Sequence, residues 1–121
     1  MRFDFCVYVR NYARMSKDDY IEKTLNQIDN NFVKALAEPV RIDILKHLIA
    51  NGSTDVKDLS DKMPQDRSVI SRHLAMMEKA GILKVKKEGR HMIYSVDGES
   101  ALEKSEKIVE TIRSCLALGC C

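Results

Sequence analysis

No apolar run in this sequence approaches the roughly 20 residues that a membrane-spanning helix needs. The N-terminal segment lacks the apolar stretch and small-residue cleavage site of a signal peptide, so we expect a cytoplasmic protein with no membrane partner. There are no internal repeats and no low-complexity segments, and 121 residues suffice for one domain with a hydrophobic core. With only four cysteines in such a chain, we expect free thiols or soft-metal ligands instead of a disulfide scaffold.

Charge is unevenly distributed along the chain, although the formal net charge is only +2. The segment from Arg67 to Arg90 has seven basic and two acidic residues, whereas the rest of the chain has 13 basic and 16 acidic ones. A basic segment on an otherwise acidic protein is typical of nucleic-acid binding, although solvated helix faces also collect lysines.

The spacing of apolar residues predicts about five helices. Ser16, followed three residues later by Asp19, is typical of a helix start. Asn51-Gly52 and Gly81 are typical helix ends, Asp66 is a plausible N-cap, and Ser100 with Glu103 forms a capping box. The predicted helices cover residues 17–37, with a loosening at 29–31, then 39–51 with Pro39 in the first turn, 54–63, 67–80 and 100–118.

Residues 83–96 alternate between apolar and other side chains around Gly89, which predicts a two-stranded β-hairpin. Residues 54–81 contain two helices of about ten residues joined by a short turn, as in a helix-turn-helix. Ile70, Leu74 and Met77 form the predicted inner stripe of its second helix. The sequence therefore predicts an α+β winged helix-turn-helix, with the hairpin as a two-stranded wing.

Residues 32–96 resemble the ArsR/SmtB family of bacterial and archaeal metalloregulatory repressors. The similar segments, in order, are ALAEPVRIDILKHL (35–48), DVKDLSDKM (55–63), SVISRHLAMMEKAGIL (68–83) and VKKEGRHMIYSV (85–96). The resemblance implies a homodimeric repressor that binds double-stranded operator DNA and has no catalytic activity.

The predicted DNA-binding residues lie on the second helix of the helix-turn-helix and on the wing. A recognition helix presents its first residues to base edges in the major groove, where arginine binds guanine and hydroxyls contact phosphates or bases. Basic residues on the hairpin would meet the flanking backbone or the minor groove. For His73, a packing role and a DNA contact both stay open. The set comprises Arg67, Ser68, Ser71, Arg72, His73, Lys86, Lys87 and Arg90.

The sequence departs from the family at both of its common metal sites. Residues 53–59 lack the paired cysteines with which many relatives sense thiophilic metals, and the last helix lacks the histidines used by others. The remaining soft ligands are Cys115, Cys120 and Cys121, with Cys6 as a possible addition. Three thiolates favour arsenic(III), and copper(I), zinc or cadmium are alternatives.

Two other interpretations of these cysteines stay open. They are oxidation of the thiols by reactive sulfur or oxygen species, and a purely structural role with Cys115 in the core and Cys120-Cys121 as a frayed end. A thiol enzyme or metal carrier is disfavoured, because no histidine or carboxylate constellation accompanies the thiols.

The predicted organisation is a leader over residues 1–15, loose or upstream of the true start, and a single domain over 16–121. The first and last helices have more apolar surface than so short a chain can bury alone. We therefore expect both helices to pair across a two-fold axis, with residues 100–118 as the dimerisation and sensing helix.

Overall fold

The computed structural model describes residues 15–117, which contain six helices and three short strands. The elements follow the chain in the order α1 Lys17–Leu25, α2 Asn30–Leu36, α3 Pro39–Asn51, β1 Thr54–Asp55, α4 Val56–Asp61, α5 Arg67–Lys79, β2 Leu83–Glu88, β3 His91–Val96 and α6 Gly98–Ala117. The α+β winged-helix prediction is confirmed, with α4 and α5 as the helix-turn-helix. No helix among these residues is long and apolar enough to cross a membrane.

Local sequence signals account for several helix ends. The backbone N–H of Asp19 donates to Ser16 Oγ at 3.1 Å, which caps α1 as predicted. Pro39 begins α3, where its missing N–H leaves no hydrogen bond unmade. Gly52 ends the same helix with a φ of 81°, a conformation that costs glycine little because it has no Cβ.

The hairpin pairs β2 with β3 in antiparallel register, from Leu83 opposite Val96 to Glu88 opposite His91. Its two-residue loop begins with Gly89, which has a φ of 61°, and continues with Arg90, which has no positive φ; together they match a type II′ turn. Strand β1 adds a third strand on the other side of β3, so the strand order is β1-β3-β2. The wing is therefore hydrogen-bonded to the segment that leads into α4.

Residues 30–102 form one compact unit, here called the winged-helix unit. Its core is formed by apolar side chains of α2 to α5 and of the hairpin. The largest fully buried side chains are Phe32, Ile44, Leu59, Ile70, Leu74, Met77, Ile82 and Leu83.

Among the described residues, a second compact unit comprises 15–29 and 103–117, here called the two-helix unit. Its buried side chains are those of Thr24 on α1 and Thr111 on α6. Thr111 satisfies its hydroxyl by donating to the Lys107 carbonyl at 2.8 Å. Lys104 on α6 forms an ion pair with Asp29, which follows α1.

The predicted helix over 17–37, loosened at residues 29–31, is instead two helices, because α1 ends at Leu25 and α2 begins at Asn30. The N–H groups of Gln27 and Ile28 bond to carbonyls only three residues back, which tightens the last turn and stops the α-helical ladder. The apolar spacing continues across this break, so periodicity alone could not show it.

Two further predicted boundaries are wrong. Thr54 and Asp55 pair with Tyr94 and Ile93 of β3 and form a strand, although the third helix was expected to begin at Thr54. The last helix begins at Gly98 instead of Ser100, because Asp97 Oδ1 accepts the N–H of Ser100 at 3.2 Å and serves as the cap.

Candidate nucleic-acid interface

The recognition helix α5 is fixed by its apolar side. Ile70, Leu74 and Met77 are completely buried, as the sequence predicts. The opposite side of the first two turns is exposed to solvent. It carries two arginines and two serines, namely Arg67, Ser68, Ser71 and Arg72. The fold therefore gathers four of the predicted DNA-binding residues on one surface.

Asp66 occupies the N-cap position of α5 with extended backbone angles, but its side chain makes no capping hydrogen bond. The predicted N-cap position of Asp66 is therefore confirmed, whereas a capping hydrogen bond from its carboxylate is not formed. The first N–H groups of α5 thus donate no hydrogen bond to this carboxylate. A helix N-terminus favours phosphate, whereas the exposed Asp66 carboxylate beside it disfavours phosphate.

Arg72 also lines a groove of about 760 Å³ between α2, α3 and α5. Four cationic residues and one carboxylate surround it, and an apolar strip of α5 residues forms part of its wall. The positive charge around Arg72 therefore extends beyond the recognition helix, to Lys34 and Arg41. The charged residues of the groove are Lys34, Glu38, Arg41, Arg72 and Lys79.

His73 is half-buried beside this groove. Its Nδ1 accepts a hydrogen bond from Arg41 Nε at 3.2 Å, and Arg41 also donates to the Lys34 carbonyl at 2.9 Å. Burial lowers the pKa of His73, and the positive charge of Arg41 lowers it further, so the neutral ring is favoured. These contacts fit a packing role, and a DNA contact by this ring stays a prediction.

The wing residues occupy different positions on the hairpin. Lys86 and Lys87 are adjacent on β2 and therefore point to opposite faces of the ribbon, and both are exposed. Lys86 Nζ lies 3.7 Å from Glu88 Oε1. Arg90 is the second residue of the turn and is exposed at the tip. The hairpin thus presents cations on both faces and at its end.

The wing of this surface also carries an ion pair that the sequence did not predict. His91 Nδ1 lies 3.0 Å from Asp55 Oδ2, which joins the base of the wing turn to the residue preceding α4. No local pattern could indicate this pair, because it depends on the pairing of β1 with β3.

The described residues contain no group of three or more histidine, cysteine or acidic side chains that could hold a metal ion. Cys115 on α6 is an exposed free cysteine, so its interpretation as a core residue is wrong. Cys6, Cys120 and Cys121 lie outside the described residues.

Sequence comparison agrees with this geometry. Residues 38–85 match the arsR family of bacterial regulatory proteins. An uncharacterized HTH-type transcriptional regulator of Methanocaldococcus jannaschii is 41% identical over 63 residues, which cover 52% of this chain and 71% of that protein. The chain belongs to the ArsR family. It is accordingly an ArsR-family transcriptional regulator with a DNA-binding helix-turn-helix.

Two other relatives of this ArsR-family chain carry more specific names. A cadmium resistance transcriptional regulatory protein CadC homolog of Staphylococcus aureus is 30% identical over 86 residues, which cover 71% of each chain. The crystal structure of a possible transcriptional regulator for arsenical resistance superposes with a TM-score of 0.60 at 27% identity. The superposition covers 68% of this chain and 84% of the arsenical-resistance regulator.

Proposed function

We propose that the protein is a homodimeric repressor that binds operator DNA and is released from it by a thiophilic ion. The DNA-binding part of this proposal rests on α5, whose apolar side is completely buried and whose polar side therefore faces solvent. Each recognition helix would enter one major groove. Because the dimer has a two-fold axis, its operator would be an imperfect palindrome whose two half-sites lie about one helical turn apart. Since the relatives are transcriptional regulators, we infer no catalytic activity.

An exposed apolar stripe on α6 supports the dimer. Val109, Ile112 and Leu116 are 45%, 54% and 74% exposed, at a spacing that places them along one side of the helix. A second copy of the chain, related by a two-fold axis, would remove this stripe from water.

The DNA-binding assignment can be tested by replacing one arginine in each part of the surface. Arg72→Ala should weaken specific binding by about 1–3 kcal/mol and relax sequence preference, because it removes a base contact. Arg90→Ala should weaken binding to all sequences alike and reduce the salt dependence, because it removes a phosphate contact. Fluorescence anisotropy on the protein's own upstream DNA measures both effects.

Lys46→Ala serves as the control, since it removes an exposed cation outside the proposed surface. Arg72→Ala and Arg90→Ala variants that bind as tightly as the parent protein would show that the DNA surface is misassigned.

We propose that Cys115, Cys120 and Cys121 bind the effector, with arsenic(III) as the first candidate and Cys6 as a possible further ligand. The exposure of Cys115 near the end of α6 makes its thiol accessible to an ion. The names of the relatives, cadmium resistance and arsenical resistance, support thiophilic chemistry. Gathering three thiolates would bend or unwind the end of α6, which would alter the dimer and release DNA.

Arsenite added to the reduced protein–DNA complex should release the DNA at a near-stoichiometric concentration. Cys120→Ser combined with Cys121→Ser should abolish the release, whereas Cys6→Ser tests whether a fourth cysteine takes part. Release that persists in the double variant, or no release by any thiophilic metal, would refute this sensor and leave the repressor proposal intact.

The exposed Cys115 thiol also favours a second candidate signal, which is thiol oxidation by reactive sulfur or oxygen species. In that case peroxide or polysulfide would release the DNA, and a reductant would restore binding. Metals added under strictly reducing conditions would have no effect.

A further inference from the structure

The Asp55 carboxylate is held at both of its oxygens. Oδ1 accepts the N–H of Asp58 at 2.8 Å and so caps α4, while Oδ2 lies 3.0 Å from His91 Nδ1. The side chain of Asp55 is 15% exposed and that of His91 is 66% exposed. The imidazole ring is therefore oriented by a fixed carboxylate, and Nε2 is the nitrogen that can serve a partner outside the protein.

Other charged groups surround this pair on the same face of the sheet. Glu88 is the direct cross-strand partner of His91, and its carboxylate is 3.7 Å from Lys86 Nζ. The Asp58 N–H, the His91 ring and the Arg67 guanidinium together hold the pKa of Asp55 below its usual range. Asp55 is therefore ionised wherever the protein is folded near neutral pH.

The protonation state of the ring decides what it can bind. A neutral ring that donates Nδ1–H to Asp55 presents only a lone pair at Nε2, which repels a phosphate oxygen. The imidazolium form donates from both nitrogens and can bridge Asp55 to a phosphate. The required proton comes from the solvent.

The geometry points to His91 as a phosphate contact that forms only with the protonated ring, with Asp55 as its positioning residue. His91 follows directly after the hairpin turn that carries Arg90, and Asp55 directly precedes α4. Asp55 also feels the charge of Arg67 at the start of α5, so the pair lies near both the wing turn and the recognition helix. DNA binding takes up a proton at each wing, and DNA affinity falls as the pH rises. This inference rests on the proposed DNA-binding function.

The test measures binding of the full-length chain to a random-sequence duplex by fluorescence anisotropy, over a range of salt concentrations, at mildly acidic and mildly alkaline pH. Each phosphate contact contributes about 0.9 to the slope of log K against log salt concentration. The parent protein should therefore show a steeper slope at acidic pH, by about 0.9 for each His91 engaged. His91→Gln should show the same slope at both pH values.

Two variants complete the design. His47→Gln removes a histidine outside this pair and should keep the pH dependence of the parent protein. Asp55→Asn retains an oxygen for the Asp58 N–H but removes the charged acceptor that orients the ring, so the pH dependence of the slope should be smaller. Thermal unfolding of each variant verifies that it is folded.

NMR spectra of the His91 ring give a readout independent of affinity, since they should show the imidazolium form in the DNA complex at neutral pH. A parent protein that binds no DNA at either pH would overturn the proposed function itself. A parent protein that binds DNA, with a pH-dependent slope that His91→Gln retains, would overturn only this inference.

Discussion

The winged-helix unit and the two-helix unit differ in how they use their apolar side chains. Among the described residues, every buried apolar side chain lies within 30–102. In the two-helix unit the buried side chains are two threonines, while large apolar residues of α1 and α6 are exposed. The exposed residues are Leu25, Val109, Ile112 and Leu116.

This difference indicates a division of roles. The winged-helix unit buries a core of its own, so the direction of the recognition helix is set within one chain. The two-helix unit leaves its apolar stripe to solvent, so its stability and position should depend on a second copy.

The largest effect is expected from the core of the winged-helix unit. Leu74→Ala should lower the free energy of unfolding by about 2–5 kcal/mol, because Leu74 is completely buried and the substitution leaves a cavity. Urea denaturation measures the change. Ile49→Ala, at a position 73% exposed, is the matched control and should change the value by less than about 0.5 kcal/mol. Similar losses in both variants would mean that this unit has no tightly packed core.

The second effect concerns the apolar stripe of α6. Val109→Glu combined with Ile112→Glu should give a monomer in sedimentation. The substitutions remove the apolar surface that the dimer would bury, and the carboxylates of the two copies would repel each other. DNA affinity should fall by about 100-fold, since the two recognition helices lose the advantage of being linked. Glu110→Gln, an exposed change on the same helix, should leave both properties unchanged. If the double variant stays dimeric, the dimer interface does not include the apolar stripe of α6.

The smallest effect is a pH dependence of stability in the winged-helix unit. Because burial and Arg41 lower the pKa of His73, the folded protein binds this proton less readily than the unfolded chain. The contribution of His73 to the free energy of unfolding is therefore complete above a pH of about 6.5, the pKa of histidine in the unfolded chain. It is lost as the pH falls through the lower pKa of His73 in the folded protein. The melting temperature should therefore fall on mild acidification.

His73→Gln should reduce this fall, because glutamine retains an oxygen that can accept from Arg41 Nε but does not titrate. His47→Gln should behave like the parent protein. An acid-induced fall of equal size in His73→Gln and the parent protein would contradict the role assigned to the Arg41–His73 hydrogen bond.

The parts of the fold that sequence could predict are those determined by neighbouring residues. The stripe Ile70, Leu74 and Met77 identified the buried side of the recognition helix, and Gly89 identified the hairpin turn. Helical periodicity and positive-φ glycines act within a few positions, so a single sequence displays them directly.

The parts that were wrong or missed depend on competition or on distant contacts. Asp97 and Ser100 are both good caps, and only the folded backbone decides that Asp97 caps α6. Strand β1 exists because Thr54 and Asp55 find β3, far along the chain. The Arg41–His73 hydrogen bond joins residues 32 positions apart and has no local signature. The cysteine site stays a prediction, since three of its four cysteines lie outside the described residues.

The register of the hairpin constrains how this protein and its operator can diverge together. Each residue pair added to an antiparallel ribbon extends it by about 3.4 Å and exchanges the faces of the side chains beyond it. Two residue pairs added next to the turn, with two residues before Gly89 and two after Arg90, would move Arg90 outward by about 7 Å and restore the original faces. Phosphates of one DNA strand rise by about 3.4 Å each along the helix axis, so a wing that lies along this axis can change its reach in steps of about two base pairs. Such insertions would leave the helix-turn-helix unchanged. The length of the hairpin, and with it the length of DNA that the protein contacts, could therefore change in evolution without a change in the recognition helix.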